Sequence, residues 1–149
     1  MDRVNFATTS PFEPLRGFSR AVLVGDRLLI SGTTALSHSG EVVGVGDAYV
    51  QTKTILNKVR RILNTAGFTI HDVVRTRLFV TNMGSWKDYA RAHRDAFEKV
   101  RPASSIVQVA KLVDPRLLVE LEVEAIRGAT VVRDIAIPDD LSSSDTSTP

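Results

Sequence analysis

Leu117-Leu-Val-Glu-Leu-Glu-Val-Glu-Ala125 alternates residue by residue: Val119, Leu121, Val123 and Ala125 fall on one side, Glu120, Glu122 and Glu124 on the other. A period of two is the signature of a strand buried on one face only. The chain therefore contains a sheet with an apolar face and a polar face. Upstream, Val73-Val-Arg-Thr-Arg-Leu-Phe-Val80 is strand-like in the same way, with β-branched residues and rough alternation. Ala21-Val-Leu-Val24 and Arg27-Leu-Leu-Ile-Ser31 flank Gly25-Asp26, the pattern of a tight β-hairpin, with Gly32 closing its second strand. A turn at Ser39-Gly40 precedes a short strand, Glu41 to Val43, and Ser105 to Lys111 alternates weakly.

Two segments change period. From Ala48 to Ala66, Val50, Ile55, Val59, Ile62, Leu63 and Ala66 mark one helical face, with Asp47 as N-cap and Gly67 just past the end. After Ser85, a second N-cap candidate with Asp88 three residues on, Trp86, Tyr89, Ala90, His93, Phe97 and Val100 recur at helical spacing until Pro102. The order β-β-(β)-α-β-α-β-β predicts an α+β domain: one mixed, mostly antiparallel sheet with two helices on one face. The other face is left for solvent or for assembly.

At 149 residues the chain fits one domain with a real core. It has no cysteine, which excludes a disulfide framework, cysteine-ligated zinc and a cysteine nucleophile. No apolar run approaches a membrane span, and Met1-Asp-Arg-Val-Asn5 lacks a signal-peptide pattern, so a cytoplasmic protein is expected. All 19 Lys and Arg lie in residues 1–133 with 13 of the 17 acids, a net charge of +6 for that body. The remaining segment, 134–149, is acidic, poor in apolar residues beyond Pro138 and rich in turn formers, and is expected to be a disordered tail. The basic residues are interleaved with acids, which favours a mixed surface over a nucleic-acid patch.

The three glutamates are the most informative chemical constellation. Side chains at i, i+2 and i+4 of a strand share a face about 7 Å apart. Shielded from water, such carboxylates raise one another's proton affinity and suit acid–base work; exposed, they are a solvated strand face. The histidines have no metal-ligand spacing: His38 lies among loop serines, His71 at a strand start, and His93 on the packed helix face, where a satisfied, partly buried ring is expected. Ser104 and Ser105 lack a nucleophile-elbow motif, and Gly44-Val-Gly46 is an isolated glycine pair. Arg75 and Arg77 alternate on one strand, as surface arginines or as carboxylate binders.

Together these motifs resemble the RidA/YjgF family of reactive-intermediate deaminases, from about Gly17 to Gly128. Gly17 to Gly32 is similar to the family's opening hairpin and Gln51 to Gly67 to its first helix. Asp72 to Thr81 is similar to the next strand, and Arg101-Pro-Ala-Ser-Ser-Ile-Val-Gln-Val109 with Val119 to Ala125 to the signature end. The resemblance implies a chorismate-mutase-like fold and a homotrimer with sheet faces at its centre. It also implies small-molecule clefts between subunits and hydrolysis of imines or enamines, such as 2-aminoacrylate, to ketoacids and ammonia without metal or cofactor. Within that cleft it places Glu120 as the water-positioning glutamate, with Glu122 as the alternate, and Phe18, Gly32, Ser104 and Ile106 around the substrate.

The chain departs from the family pattern at three positions. Ser104 stands where the family has a carboxylate-gripping arginine, Phe18 where it has a tyrosine, and Ala90 where it has an asparagine. A serine cannot form a bidentate cationic fork. Arg20, Arg77 and Arg101 are the candidate replacements. The expectation is thus a homotrimer that binds an imino- or keto-acid-like metabolite and hydrolyses imines. The alternative is a non-catalytic binding or regulatory trimer; endoribonuclease activity lacks a histidine pair or a basic-aromatic stripe to support it.

Overall fold

The computed structural model describes residues 1–131 and 133–138. One six-stranded mixed sheet has the order β1-β2-β3-β6-β4-β5, with β1 Arg3–Phe6, β2 Ala21–Val24, β3 Arg27–Thr34, β4 Val73–Val80, β5 Ala103–Gln108 and β6 Val119–Ile126. All neighbours are antiparallel except β4 and β5, which are parallel and joined by a crossover helix. That helix is α3, Trp86–Phe97; α2, Ala48–Thr65, connects β3 to β4. The two pack on one another, and α2 also packs on β3 and β6. The core beneath them takes Leu28 and Ile30 from β3, Leu78 and Val80 from β4, and Val119, Leu121, Val123 and Ala125 from β6. The alternation of the last strand thus reports burial as expected. Glu120, Glu122 and Glu124 lie on the face turned away from the helices.

Several elements depart from the sequence expectation. A third helix, α1 (Phe12–Arg16), follows Pro11 and contains Pro14; five residues are too few to show a helical period. β1 pairs Arg3 to Phe6 with Val24 to Ala21, and its exposed residues carry no alternation. β3 runs past Gly32 to Thr34. Glu41 to Val43 forms no strand, only an isolated bridge between Leu36 and Val42. β5 begins at Ala103 and ends at Gln108 rather than spanning 105–111.

Asp47 caps α2 as expected, its carboxylate accepting from Val50 N at 2.9 Å, and Gly67 takes the left-handed conformation (φ +77) just beyond. Ser85 caps nothing with its side chain. Instead Asn82 Oδ1 accepts from Gly84 N at 2.9 Å and starts a 3₁₀ turn that leads into α3. Val50, Trp86 and Ala90, expected on packed faces, are exposed. In α2 the buried place beside Val50 belongs to Gln51, which is fully enclosed.

Gln51 also explains why the last strand starts at Val119 rather than Leu117. Its amide nitrogen donates to Gly44 O (3.1 Å) and Arg116 O (2.9 Å), and its carbonyl oxygen accepts from Leu118 N (2.8 Å). The main chain before β6 is therefore held largely by a helix side chain, with one main-chain bond, from Thr81 N to Leu118 O at 3.0 Å, just past the end of β4. Of the tail expected at 134–149, residues 134–138 carry no helix or strand, and residues 139–149 lie outside the described residues.

Candidate functional site

The polar sheet face is sorted by cross-strand partners. β4 sets Arg75 beside Glu124, Arg77 beside Glu122 and Phe79 beside Glu120. Glu124 pairs with Arg27 and lies 3.7 Å from Arg75. Hydrogen bonding from Arg27 holds its carboxyl below the usual range despite partial burial. Glu122 lies 3.6 Å from Arg77. Glu120, facing a phenyl ring, has no ion pair and accepts no hydrogen bond among the described residues. Burial pushes its pKa up, the neighbouring Glu122 charge adds to that, and Arg16 and Arg20 partly oppose it. One strand thus carries two neutralised carboxylates and one half-buried carboxylate of raised proton affinity. That separates Glu120 from Glu122 as the acid–base candidate.

The wall around Glu120 comes from the opening hairpin. Between Ile30 and Thr33, β3 uses three steps where β6 uses two, a bulge that contains Ser31 and Gly32. At Gly32 an added Cβ would lie 2.1 Å from Glu120 Oε1, so the carboxylate occupies the space a side chain would need. Arg20 Nη1 donates to Gly32 O at 2.7 Å and to Thr33 Oγ1 at 3.3 Å. Its Nε lies 3.4 Å from Glu13 Oε2. Glu13 is buried, which raises its pKa, but hydrogen bonds from Thr8 and the Arg20 charge outweigh that and hold it below the usual range. The αL turn at Gly17 (φ +69) returns the chain so that Phe18 lies between Arg16 and Arg20, its centroid 4.6 and 5.3 Å from the two guanidinium carbons.

Gly32 and Glu120 are thus in contact, and Phe18 is joined to them through Arg20; Arg16, on the other side of the Phe18 ring, is a residue the sequence reading missed. Arg16 sits in a helix too short to be seen in the pattern. Gly32→Ala is expected to push the Glu120 carboxylate toward water and bring its pKa down toward the ordinary value, with the fold retained. A carboxyl ¹³C NMR titration of the two proteins checks this.

Ser104 and Ile106 are placed elsewhere. β5 runs parallel to β4 with Ser104 beside Thr76 and Ile106 beside Leu78, so both lie on the helix side of the sheet. Glu120 lies on the other side and two strands away, roughly 10 Å along the sheet. A single chain does not gather all five residues into one pocket. Every residue of β5 is exposed, Ile106 included. Of the other candidate cations, Arg77 is held by Glu122 and Arg101 by Asp134 at 2.5 Å. Ala90 is exposed on α3. Among the described residues no three His, Asp or Glu side chains converge on a point that would hold a metal ion, and no helix is long and apolar enough to cross a membrane.

Comparisons with known proteins place this fold and sequence in a family. The sequence model of the family described as Endoribonuclease L-PSP matches residues 8–127. The chain belongs to the RidA/YjgF family. It is 40% identical over 121 residues to an uncharacterized protein of Streptomyces coelicolor, covering 80% of this chain and 89% of that one. It is 32% identical over 108 residues to the 3-aminoacrylate deaminase RutC of Acinetobacter baylyi, covering 72% and 85%. Among solved structures, a YjgF/YER057c/UK114 family member from Mycobacterium tuberculosis superposes with a TM-score of 0.76 at 38% identity, covering 84% of this chain and 99% of that one. RidA/YjgF membership and the mixed-sheet fold expected from the sequence both stand.

Proposed function

We propose that the chain hydrolyses imines or enamines to a carbonyl compound and ammonia, with Glu120 handling the protons. The observation that carries this reading is the half-buried, unpaired Glu120 carboxylate lodged against Gly32. In the reaction Glu120 takes a proton from water as the water oxygen bonds to the imine carbon. The C=N π pair moves to nitrogen, which receives that proton and gives a carbinolamine. Glu120 then removes the hydroxyl proton and passes it to the amine; the C=O bond forms, the C–N bond breaks and ammonia leaves. Water is the only co-reactant. A pKa above the ordinary carboxylate value suits a group that must both take and return a proton.

In the proposed assembly, a homotrimer, a neighbouring copy brings Ser104 and Ile106 to the Phe18–Gly32–Glu120 cluster. The exposed β5 strand supports this, because an edge with both faces open is a surface for another chain. The substrate is a small imino or enamino compound. Ser104 favours a second reading, a trimer that binds such a compound without turnover, since a neutral hydroxyl grips a carboxylate less firmly than a guanidinium.

The test is ammonia release from an imino acid generated in situ by an amino-acid oxidase, with sedimentation analysis of the same samples. Wild type is expected to show weak acceleration, and Ser104→Arg at least a tenfold gain. If neither protein accelerates release, the binding reading replaces the catalytic one. RNA cleavage that persists through further purification would favour a nuclease instead.

A further inference from the structure

Thr76 is fully buried in the middle of β4, yet its hydroxyl joins two groups outside the sheet core. Thr76 Oγ1 donates to Ser104 Oγ, from β5, at 2.8 Å, and His93 Nε2, from α3, lies 2.8 Å from the same threonine oxygen. The His93 ring packs on Phe97 at 4.6 Å between centroids. It also lines a pocket of about 270 Å³ with Arg94, Phe97, Glu98, Arg101 and Pro102. At its other end the chain of hydroxyls reaches the surface, because Ser104 is exposed.

A threonine hydroxyl has one proton, so the two contacts cannot be set independently. In one arrangement, the one whose Thr76-to-Ser104 direction the structure shows, His93 Nε2–H donates to Thr76, Thr76 donates to Ser104, and the Ser104 proton points away from the protein. In the other, Ser104 donates to Thr76 and Thr76 donates to an unprotonated Nε2, which leaves Ser104 with lone pairs only. An imidazolium permits only the first.

We propose that His93, acting through Thr76, is a positioning residue that sets Ser104 as a hydrogen-bond donor to an acceptor oxygen of the ligand. The proposal rests on the reading that Ser104 faces the ligand; the relay itself is read from the geometry of this chain. The ligand class is a small molecule that presents a carbonyl or carboxylate oxygen to Ser104. Binding such an oxygen draws the ring toward its Nε2-protonated form and toward the imidazolium, so binding tightens as pH falls through the His93 titration. Burial lowers the pKa of His93, which favours the neutral ring, and a neutral imidazole carries its proton on either nitrogen. The charged groups around it are Arg94 and Glu98 on its own helix and Arg101 on the segment beyond. Arg75 and Arg77 flank Thr76 but extend from the opposite face of the sheet, toward the glutamates.

The experiment titrates ¹⁵N-histidine-labelled protein with pyruvate, which carries a carboxylate, and with pyruvamide, which carries only neutral carbonyls. Affinity is measured in parallel across pH. Wild type is expected to move its His93 nitrogen shifts toward Nε2–H on adding either probe. Thr76→Val should lose that response and about tenfold in affinity, whereas Thr76→Ser should keep both. His93→Gln should bind with a flattened pH profile. A response to pyruvate alone assigns the oxygen to a carboxylate, and a response to both assigns it to a carbonyl. Binding that leaves the His93 shifts unmoved, or Thr76→Val that behaves as Thr76→Ser does, overturns the relay while the ligand site stands. No binding of either probe overturns the placement of the ligand at Ser104, and the relay with it.

Discussion

Gln51→Leu is expected to destabilise the protein by about 3 kcal/mol or more, although it replaces a buried side chain by an apolar one of similar size. The amide is fully buried and partners three main-chain groups: Gly44 O, Arg116 O and Leu118 N. Leucine restores the packing and none of these bonds. Gly44 O keeps its bond from Asp47 N, but Arg116 O and Leu118 N lose their partners; at about 1–3 kcal/mol for each main-chain group so orphaned, the two together outweigh any gain from burying a more apolar side chain. Urea unfolding with an unchanged slope and a lowered midpoint is the expected record. A change under about 1 kcal/mol would mean that water had taken the place of the amide.

Glu120→Gln should bring ammonia release down to the uncatalysed rate, in the wild type and in the more active Ser104→Arg protein alike, because loss of a positioned acid–base group costs on the order of 10²- to 10⁴-fold and exceeds the acceleration expected here. Stability at neutral pH should be unchanged or higher. The sign follows from the pKa. Burial, reinforced by Glu122, raises the folded-state pKa above the unfolded value, so the folded state holds the proton more tightly. Above the folded pKa the charged carboxylate opposes folding; as pH falls through that pKa toward the unfolded value, the penalty disappears. A glutamine carries no charge at any pH and removes it throughout. Wild-type turnover should fall as pH drops through the same raised pKa, because the base is then protonated. A variant that loses activity and stability together would instead show that Glu120 supports the fold. Full activity in Glu120→Gln would move the proton chemistry to another group.

The strand Val73–Val80 and the helix over Ala48–Thr65 were legible because each buries one face, and burial on one face stamps a period on the residues. The same signal marked Val119 to Ala125 and, with it, the glutamate face. Elements without a one-sided burial were not legible. β1 is an exposed edge, α1 is a short helix that follows one proline and contains another, and the main chain before β6 is held by Gln51, a polar residue that a hydrophobic pattern passes over. In α3 the period was visible, but Trp86 and Ala90 turned outward, because apolar spacing alone does not say where a helix stops touching its neighbours.

The amino-acid sequence alone determined the family, the alternating glutamate strand, the serine at position 104 and the glycine at position 32, since these are matters of residue type and spacing. Only the tertiary structure decided which glutamate is chemically distinct. That depends on what β4 sets beside each one: Arg75 and Arg77 neutralise Glu124 and Glu122, while Phe79 leaves Glu120 without an ion pair among the described residues. Likewise, His93, Thr76 and Ser104 are 17 and 28 residues apart along the chain from Thr76, and only the parallel pairing of β4 with β5 under α3 brings their polar atoms onto one oxygen. Proton affinity and hydrogen-bond direction are set by neighbours in space, and those neighbours are chosen by strand register.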